Sequence, residues 1–147
     1  MIEGEYVPSK WDWVADQIST YEASGGTEAN TLRDTGIPII IVTMRGHRSG
    51  KVRKIALMRV EHDGRYALVA SKGGAPEHPG WYHNIVADPS VWVQDGPEPF
   101  QTTARLVTGD ERAAWWDRSV AVFGNYAEYQ EKAPHREIPV FVTDAAG

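Results

Sequence analysis

Hydrophobic residues form short runs through the middle of the chain and recur at helical spacing near its ends. The runs are rich in β-branched residues and are separated by Gly, Pro, Asn and Asp, which is typical of antiparallel strands joined by turns. The strands are predicted at 39–44, 52–62, 66–71, 91–95, 100–109 and 138–143. This pattern predicts a mainly antiparallel six-stranded sheet.

Helical spacing predicts three further elements. The first helix covers 9–22, with Ser9 as its N-cap, and a short helix covers 81–87 between two strands. A long helical segment at 110–132 is interrupted near Gly124. The prediction is therefore one α+β domain over residues 1–147, a β-barrel preceded by the helix at 9–22 and flanked by a C-terminal helix.

Composition narrows the class of protein. The chain has 147 residues, 41% hydrophobic and 24% charged, which suits one globular core. It contains no cysteine, which excludes disulfides, thiol catalysis and thiolate metal sites. A net charge of −5 argues against a nucleic-acid surface, so no nucleic-acid partner is expected. Without a leader or an apolar span, we expect a cytoplasmic protein, although the Trp-bearing first helix could contact a membrane surface.

The turn after the first strand is basic, although the chain as a whole is acidic. The stretch RGHRSGKVRK contains six basic or imidazole side chains: Arg45, His47, Arg48, Lys51, Arg53 and Lys54. Together with the Ser49 hydroxyl and the turn N–H groups, such side chains can hold a phosphate or carboxylate. The alternative is a solvated hairpin tip.

A second candidate site follows the strand at 66–71. Lys72 lies at the strand end before Gly73 and Gly74, which would allow a ligand close to the backbone; the alternative is a loop with a surface lysine. Trp81 and Asn84 come shortly afterwards and could provide an aromatic wall and a hydrogen-bonding amide, or Trp81 could be a core residue.

The C-terminal helix presents three aromatic rings on one face. Phe123, Tyr126 and Tyr129 are three residues apart, which core packing explains, but tyrosine hydroxyls bordering a cleft could also donate to a substrate oxygen. The histidines show no metal-ligand spacing, so no metal site is predicted. No GxSxG, Walker or GxGxxG motif is present to indicate hydrolysis, phosphoryl transfer or a Rossmann domain.

The motifs together resemble the deazaflavin (coenzyme F420)-dependent nitroreductase family. The resemblance is carried by YEASGG, GHRSGKVRKIAL, VASKGGAPEHPGWYHNIVADP, VWVQ, WW, YAEYQ and REIPV, and it spans nearly the whole chain. It implies a split β-barrel of the FMN-binding-like type and an oxidoreductase. The hydride would pass from reduced F420, an 8-hydroxy-5-deazaflavin, to a quinone-like or nitroaromatic acceptor.

The resemblance also implies roles for individual residues. Cofactor-binding residues would be His47, Arg48, Ser49, Arg53, Ala70, Ser71, Lys72, Gly73, Trp81 and Asn84. Tyr126 and Tyr129 would be the catalytic tyrosines on the substrate side, where Phe123 and Met58 replace aromatic residues of the family. Two alternatives stay open, namely a non-catalytic F420 carrier and an FMN-dependent enzyme of the same barrel class. The protein is expected to be a monomer or a homodimer.

Overall fold

The computed structural model describes residues 2–145. The helices are α1 (Asp12–Ala23), α2 (Gly80–Ala87), α3 (Gly109–Val122) and α4 (Asn125–Lys132). The strands are β1 (Ile39–Arg45), β2 (Val52–Met58), β3 (Glu61–His62), β4 (Arg65–Val69), β5 (Ser90–Gln94), β6 (Pro99–Leu106) and β7 (Val140–Thr143). Short 3-10 helices cover Arg33–Thr35 and Lys72–Gly74. None of the helices between residues 2 and 145 combines the length and apolar character that a membrane crossing requires.

The strands form one curled antiparallel sheet in the order β2-β1-β5-β6-β7-β4-β3. Its two edge strands, β2 and β3, follow each other along the chain with only Arg59 and Val60 between them. The sheet therefore curls until its edges meet at these two residues, and the predicted α+β barrel is confirmed. Between residues 2 and 145 the sheet has seven strands where six were predicted. The predicted strand at 52–62 is divided because its first part pairs with β1 and its second part with β4.

The hydrophobic core fills the inside of the curled sheet. Alternate residues of each strand point inward, including Ile40 and Val42 from β1, Leu68 from β4 and Phe141 from β7. The opposite faces of the strands are covered by helices: α1 packs on β1, and α3 packs on β4 and β7. Both faces of the sheet are thus apolar, which is why the strand at 39–44 reads as a continuous hydrophobic run rather than an alternating one.

The helix ends differ in detail from the predicted ones. α1 begins at Asp12 and its N-cap is Trp11, so the prediction of Ser9 as N-cap was wrong. The Ser9 hydroxyl instead accepts a hydrogen bond from the Trp11 backbone N–H at 3.2 Å, which forms a turn that leads into the helix. The predicted interruption near Gly124 is confirmed, because Phe123 leaves the helical conformation with φ −140° between α3 and α4.

Strand direction brings distant loops together. Each neighbouring pair from β1 through β5, β6 and β7 to β4 is antiparallel, so β1 and β4 run in the same direction. The β1–β2 hairpin (46–51) and the loop that follows β4 (70–79) therefore leave the same end of the barrel. The helix α2 continues from that loop. We call this end of the molecule the upper end.

Candidate functional site

The β1–β2 hairpin contains two kinds of basic residue. Lys51 forms an ion pair with Glu5 at 2.7 Å, and Lys54 forms one with Glu22 at 2.6 Å. Arg45 donates to backbone carbonyls of the hairpin and of the N-terminal segment at 2.7 and 3.1 Å. These three side chains fasten the N-terminal segment and α1 to the barrel, so their role in the structure is architectural.

The other basic residues of the hairpin lack such contacts. Arg48 and Arg53 are exposed, and neither has an acidic partner or a hydrogen bond within residues 2–145. Arg53 is paired in register with Met44, so its side chain starts from the face of the sheet that lines the barrel core, at the upper end. The Ser49 hydroxyl accepts a hydrogen bond from the Lys51 backbone N–H at 3.1 Å and stabilises the turn. The hairpin thus presents two uncompensated guanidinium groups at one end of the barrel.

Asn84 on α2 connects the helix to the hairpin. Its Oδ1 accepts from the backbone N–H of His47 at 2.9 Å and from His47 Nδ1 at 2.6 Å, which requires the proton of that ring to be on Nδ1. Its Nδ2 donates to Met44 Sδ at 3.6 Å. Two of the predicted cofactor-binding residues, His47 and Asn84, are therefore in direct contact although they are 37 positions apart.

The loop after β4 carries four more of the predicted residues. Ala70 and Ser71 are buried. Lys72 is exposed, and its Nζ forms an ion pair with Glu77 Oε1 at 2.8 Å, which lowers the pKa of that carboxyl. A Cβ on Gly73 would meet no atom within 4 Å, so Gly73 borders open space.

Gly74 serves a different purpose from the one predicted. A Cβ at this position would lie 2.8 Å from the Tyr129 carbonyl oxygen and 3.0 Å from the Tyr129 Cα. The absence of a side chain at Gly74 therefore leaves space for α4 beside the loop. It does not leave space for a ligand. Of the two adjacent glycines, only Gly73 leaves room on the open side.

Aromatic and imidazole rings link α2 to the rest of the upper end. The ring of Trp81 is half-buried against Phe141 of the barrel core, with ring centroids 6.1 Å apart. His83 lies 5.6 Å from His47 and 6.5 Å from His78, measured between ring centroids. Burial and the nearby Arg136 charge lower the pKa of His78. A continuous chain of contacts thus runs from the hairpin across α2 to the loop after β4.

The two predicted catalytic tyrosines belong to α4 and lie in one aromatic cluster. Tyr126 is only 1% exposed and packs against Phe123 and Trp116, with ring centroids 5.0 and 6.3 Å away. Tyr129 is half-buried, and its ring lies 6.4 Å from that of Tyr126. Met58 packs against the same cluster. Burial raises the pKa of Tyr126.

A comparison with protein families identifies the family of the chain. The model of the F420H(2)-dependent quinone reductase family matches residues 13–145. The chain belongs to this family. The curated relatives include the F420H(2)-dependent quinone reductase Rv1261c of Mycobacterium tuberculosis, which is 34% identical over 108 residues, 71% of this chain and 72% of the relative.

Solved structures of the same type extend the likeness. An F420-H2 dependent reductase (FDR-A) is 51% identical, with a TM-score of 0.69, over 73% of this chain and 94% of that one. A structure described as a domain-swapped dimer is 46% identical, with a TM-score of 0.71, over 92% of this chain and 100% of that one. Family membership confirms the predictions of an F420H2-dependent oxidoreductase and of coenzyme F420 as its cofactor.

The residues of the upper end fit an anionic cofactor such as F420. The tail of F420, which carries phosphate and carboxylate groups, suits Arg48 and Arg53, because neither has an acidic partner among the described residues. Open space adjoins the loop at Gly73. Two surface cavities, of about 350 and 390 Å³, include none of the predicted cofactor residues. Within residues 2–145, no group of three His, Asp or Glu side chains is arranged to hold a metal ion.

Sequence reasoning missed one residue of the upper end. Arg136, in the segment before β7, reaches the loop after β4 and contacts residues that are 58 to 66 positions away in the chain. Arg136 is a single arginine in a polar segment that contains proline. It is not part of a residue pattern that would indicate a functional role. Only the REIPV motif of the family resemblance included this position.

Proposed function

We propose that this protein transfers a hydride from reduced F420 to a quinone, and that the upper end of the barrel holds the cofactor. The observation that carries the proposal is the meeting of the hairpin, α2 and the loop after β4 at one end of the sheet, through the contacts of Asn84 and His83. The family name supports a quinone as the acceptor.

The hairpin would bind the anionic tail of the cofactor. Arg48 and Arg53 keep free donors, whereas Lys51 and Lys54 are already neutralised by Glu5 and Glu22. A guanidinium group can donate two parallel hydrogen bonds to a phosphate or carboxylate, which favours arginine at these positions. Because the chain as a whole is acidic, with a net charge of −5, this local positive charge also orients the tail towards the hairpin.

The loop after β4 and α2 would hold the ring system. When bound, the deazaflavin supplies the hydride itself, so the protein needs no catalytic triad. Ala70 and Ser71 are buried and would support the loop from within, and Gly73 leaves space on its open side. Trp81 and Asn84 would border the same groove, with Asn84 Oδ1 fixing the hairpin at the correct distance from α2. The role of these residues is to orient the ring and exclude water.

The two tyrosines of α4 would stabilise the negative charge that forms on the acceptor. A quinone oxygen gains negative charge as it accepts a hydride, and a nearby phenol can donate a hydrogen bond to it. The raised pKa of Tyr126 keeps its hydroxyl protonated. This hydroxyl would therefore donate a hydrogen bond to the acceptor rather than release its proton. Tyr129, which is less buried, is better placed to pass on a proton.

The remaining predictions concern other ligands and partners. A carrier without activity or an FMN-dependent enzyme would share the barrel, but the family model names an F420H(2)-dependent reductase. Nitroaromatic compounds stay a second candidate class of acceptor. A homodimer is proposed because a relative at 46% identity is described as a domain-swapped dimer, and light scattering of the purified protein tests it. Membrane contact through the exposed Trp11 stays a prediction.

A matched pair of variants tests the cofactor site. Arg53→Ala should weaken F420 binding by about 1.5–3 kcal/mol, because it removes a charge-assisted hydrogen bond. Lys51→Ala removes an equal charge from the same hairpin, but its partner is Glu5, so the loss should be much smaller. Affinity is measured by titrating the cofactor's visible absorbance at low salt. Equal effects of the two variants would mean that the hairpin acts only through its net charge.

Activity separates the functional alternatives. Oxidation of reduced F420 is followed with a quinone, with a nitroaromatic compound and without an acceptor, and FMN is titrated in parallel. Tyr126→Phe should lower turnover with the quinone by roughly ten- to a hundredfold while cofactor affinity is kept, and Tyr129→Phe is compared with it. If wild-type protein binds F420 but oxidises it with neither acceptor, the carrier is the better description.

A further inference from the structure

Arg136 makes an unusual number of contacts with the loop after β4. Its Nη2 donates to the Ser71 carbonyl at 2.8 Å, its Nη1 to the Ala70 carbonyl at 3.3 Å, and its Nε to the Ala75 carbonyl at 3.0 Å. The Nη1 also lies 3.0 Å from His78 Nδ1. One side chain thus contacts the loop at its beginning, middle and end.

These contacts depend on the shape of the guanidinium group. No carboxylate within residues 2–145 forms an ion pair with Arg136, and burial lowers its pKa. An ion pair therefore does not account for its position. A lysine ammonium has three donors on one atom and cannot reach carbonyl groups on both sides of the loop, whereas the planar fork of arginine can.

The backbone that Arg136 holds has an uncommon conformation. Ser71 is right-handed helical with φ −78° and ψ −38°, and it is followed by positive φ angles of 47° at Lys72, 62° at Gly73 and 81° at Gly74. A positive φ at a non-glycine residue such as Lys72 is disfavoured and persists only where its surroundings impose it. The hydrogen bonds from Arg136 to Ser71 and Ala75 are on either side of this segment.

The same conformation leaves donors free. A right-handed residue followed by a left-handed one turns successive backbone N–H groups towards a common point, which is a known way to bind a negatively charged oxygen. The N–H groups of Gly74 and Ala75 are bonded to Ser71 and Lys72 carbonyls at 3.0 and 3.1 Å. Those of Ser71, Lys72 and Gly73 have no acceptor among the described residues.

We propose that Arg136 is a positioning residue for the hydride-transfer reaction. By holding the carbonyl groups of Ala70, Ser71 and Ala75 on one side of the loop, it directs the N–H groups of Ser71, Lys72 and Gly73 to the other side, towards an electron-rich oxygen of the cofactor. Arg136 itself does not contact the cofactor. This inference rests on the proposed function, because the oxygen that the N–H groups bind belongs to F420.

Two substitutions separate charge from shape. Arg136→Lys keeps the charge and loses the fork, and Arg136→Gln loses both; Arg105→Lys is the control, since Arg105 forms an exposed pair with Glu111 outside the site. Both Arg136 variants should raise the KM for reduced F420 by roughly ten- to a hundredfold, the range typical of residues that orient a ligand-binding group. The kcat at saturating cofactor and the KM for the quinone should stay within about twofold of wild type, because the tyrosine cluster is unchanged.

The outcomes distinguish this inference from the proposed function. If wild-type protein neither binds nor oxidises reduced F420, the proposed function fails first. If wild type is active and both Arg136 variants have a wild-type KM, with at most a lower melting temperature, Arg136 is structural and the inference is overturned. A wild-type KM for the lysine variant alone shows that charge suffices, which also overturns it. If neither Arg136 variant folds, NMR titration of the wild-type protein with F420 keeps the test: the backbone N–H resonances of Ser71, Lys72 and Gly73 should shift, and unchanged resonances overturn the proposal.

Discussion

The adjacent glycines after β4 differ in what their missing side chains allow. Both have positive φ angles, 62° at Gly73 and 81° at Gly74, so alanine at either position would be strained by about 1–2 kcal/mol. At Gly73 the added methyl meets nothing within 4 Å. At Gly74 it would lie 2.8 Å from the Tyr129 carbonyl oxygen and 3.0 Å from the Lys132 Cβ.

This difference determines the expected stabilities. The contacts at Gly74 involve the backbone and first side-chain carbon of α4, which cannot rotate away, and such overpacking costs about 1–3 kcal/mol more. Gly74→Ala should therefore unfold at a melting temperature roughly 2–12 °C below that of Gly73→Ala, given about 2–4 °C per kcal/mol for a chain of this size. Gly73→Ala should instead weaken F420 binding, because its methyl group fills the open side of the loop.

Thermal unfolding of the two variants, followed by circular dichroism, measures the difference. Because both substitutions exchange the same residue types, their effects on the unfolded chain are nearly equal and cancel. Equal melting temperatures would show that the loop and α4 can separate without loss, and that the close approach at Gly74 does not stabilise the fold. An unchanged F420 affinity for Gly73→Ala would remove Gly73 from the cofactor site.

Three further changes test other parts of the structure. Tyr66→Phe removes the hydrogen bond that the Tyr66 hydroxyl donates to Asp95 Oδ2 at 2.5 Å, and urea unfolding should show a loss of about 1.5–3 kcal/mol; an unchanged midpoint would contradict this. The lowered pKa of His78 means that the unfolded chain, with an ordinary value of 6.5, binds a proton first, so stability should decrease as pH falls below 6.5. His78→Gln should flatten that part of the stability curve, and identical curves would refute it. Lys72→Ala should weaken F420 binding but change the unfolding free energy by less than about 1 kcal/mol, because its pair with Glu77 is exposed; a loss as large as that of a core truncation would make Lys72 structural.

Local patterns were sufficient to locate most elements of the fold. The β-branched runs and the turn residues between them predicted β1, β4, β5, β6 and β7 within a few residues, and Gly124 predicted the break between α3 and α4. The division at Arg59 and Val60 was not predictable, because every residue of 52–62 suits a strand. Which partner each half pairs with depends on how the sheet curls.

The sequence by itself determined that a basic hairpin, a Lys-Gly-Gly loop and a tyrosine-bearing helix exist, because each is a local cluster of residue types. Only the tertiary structure decided what each member does. It neutralises Lys51 and Lys54 with Glu5 and Glu22 and leaves Arg53 without an acidic partner among residues 2–145. Charge pairs, close backbone contacts and partly buried hydrogen bonds such as those of Arg136 depend on distances between atoms far apart in the chain. Such distances are set only when the sheet curls.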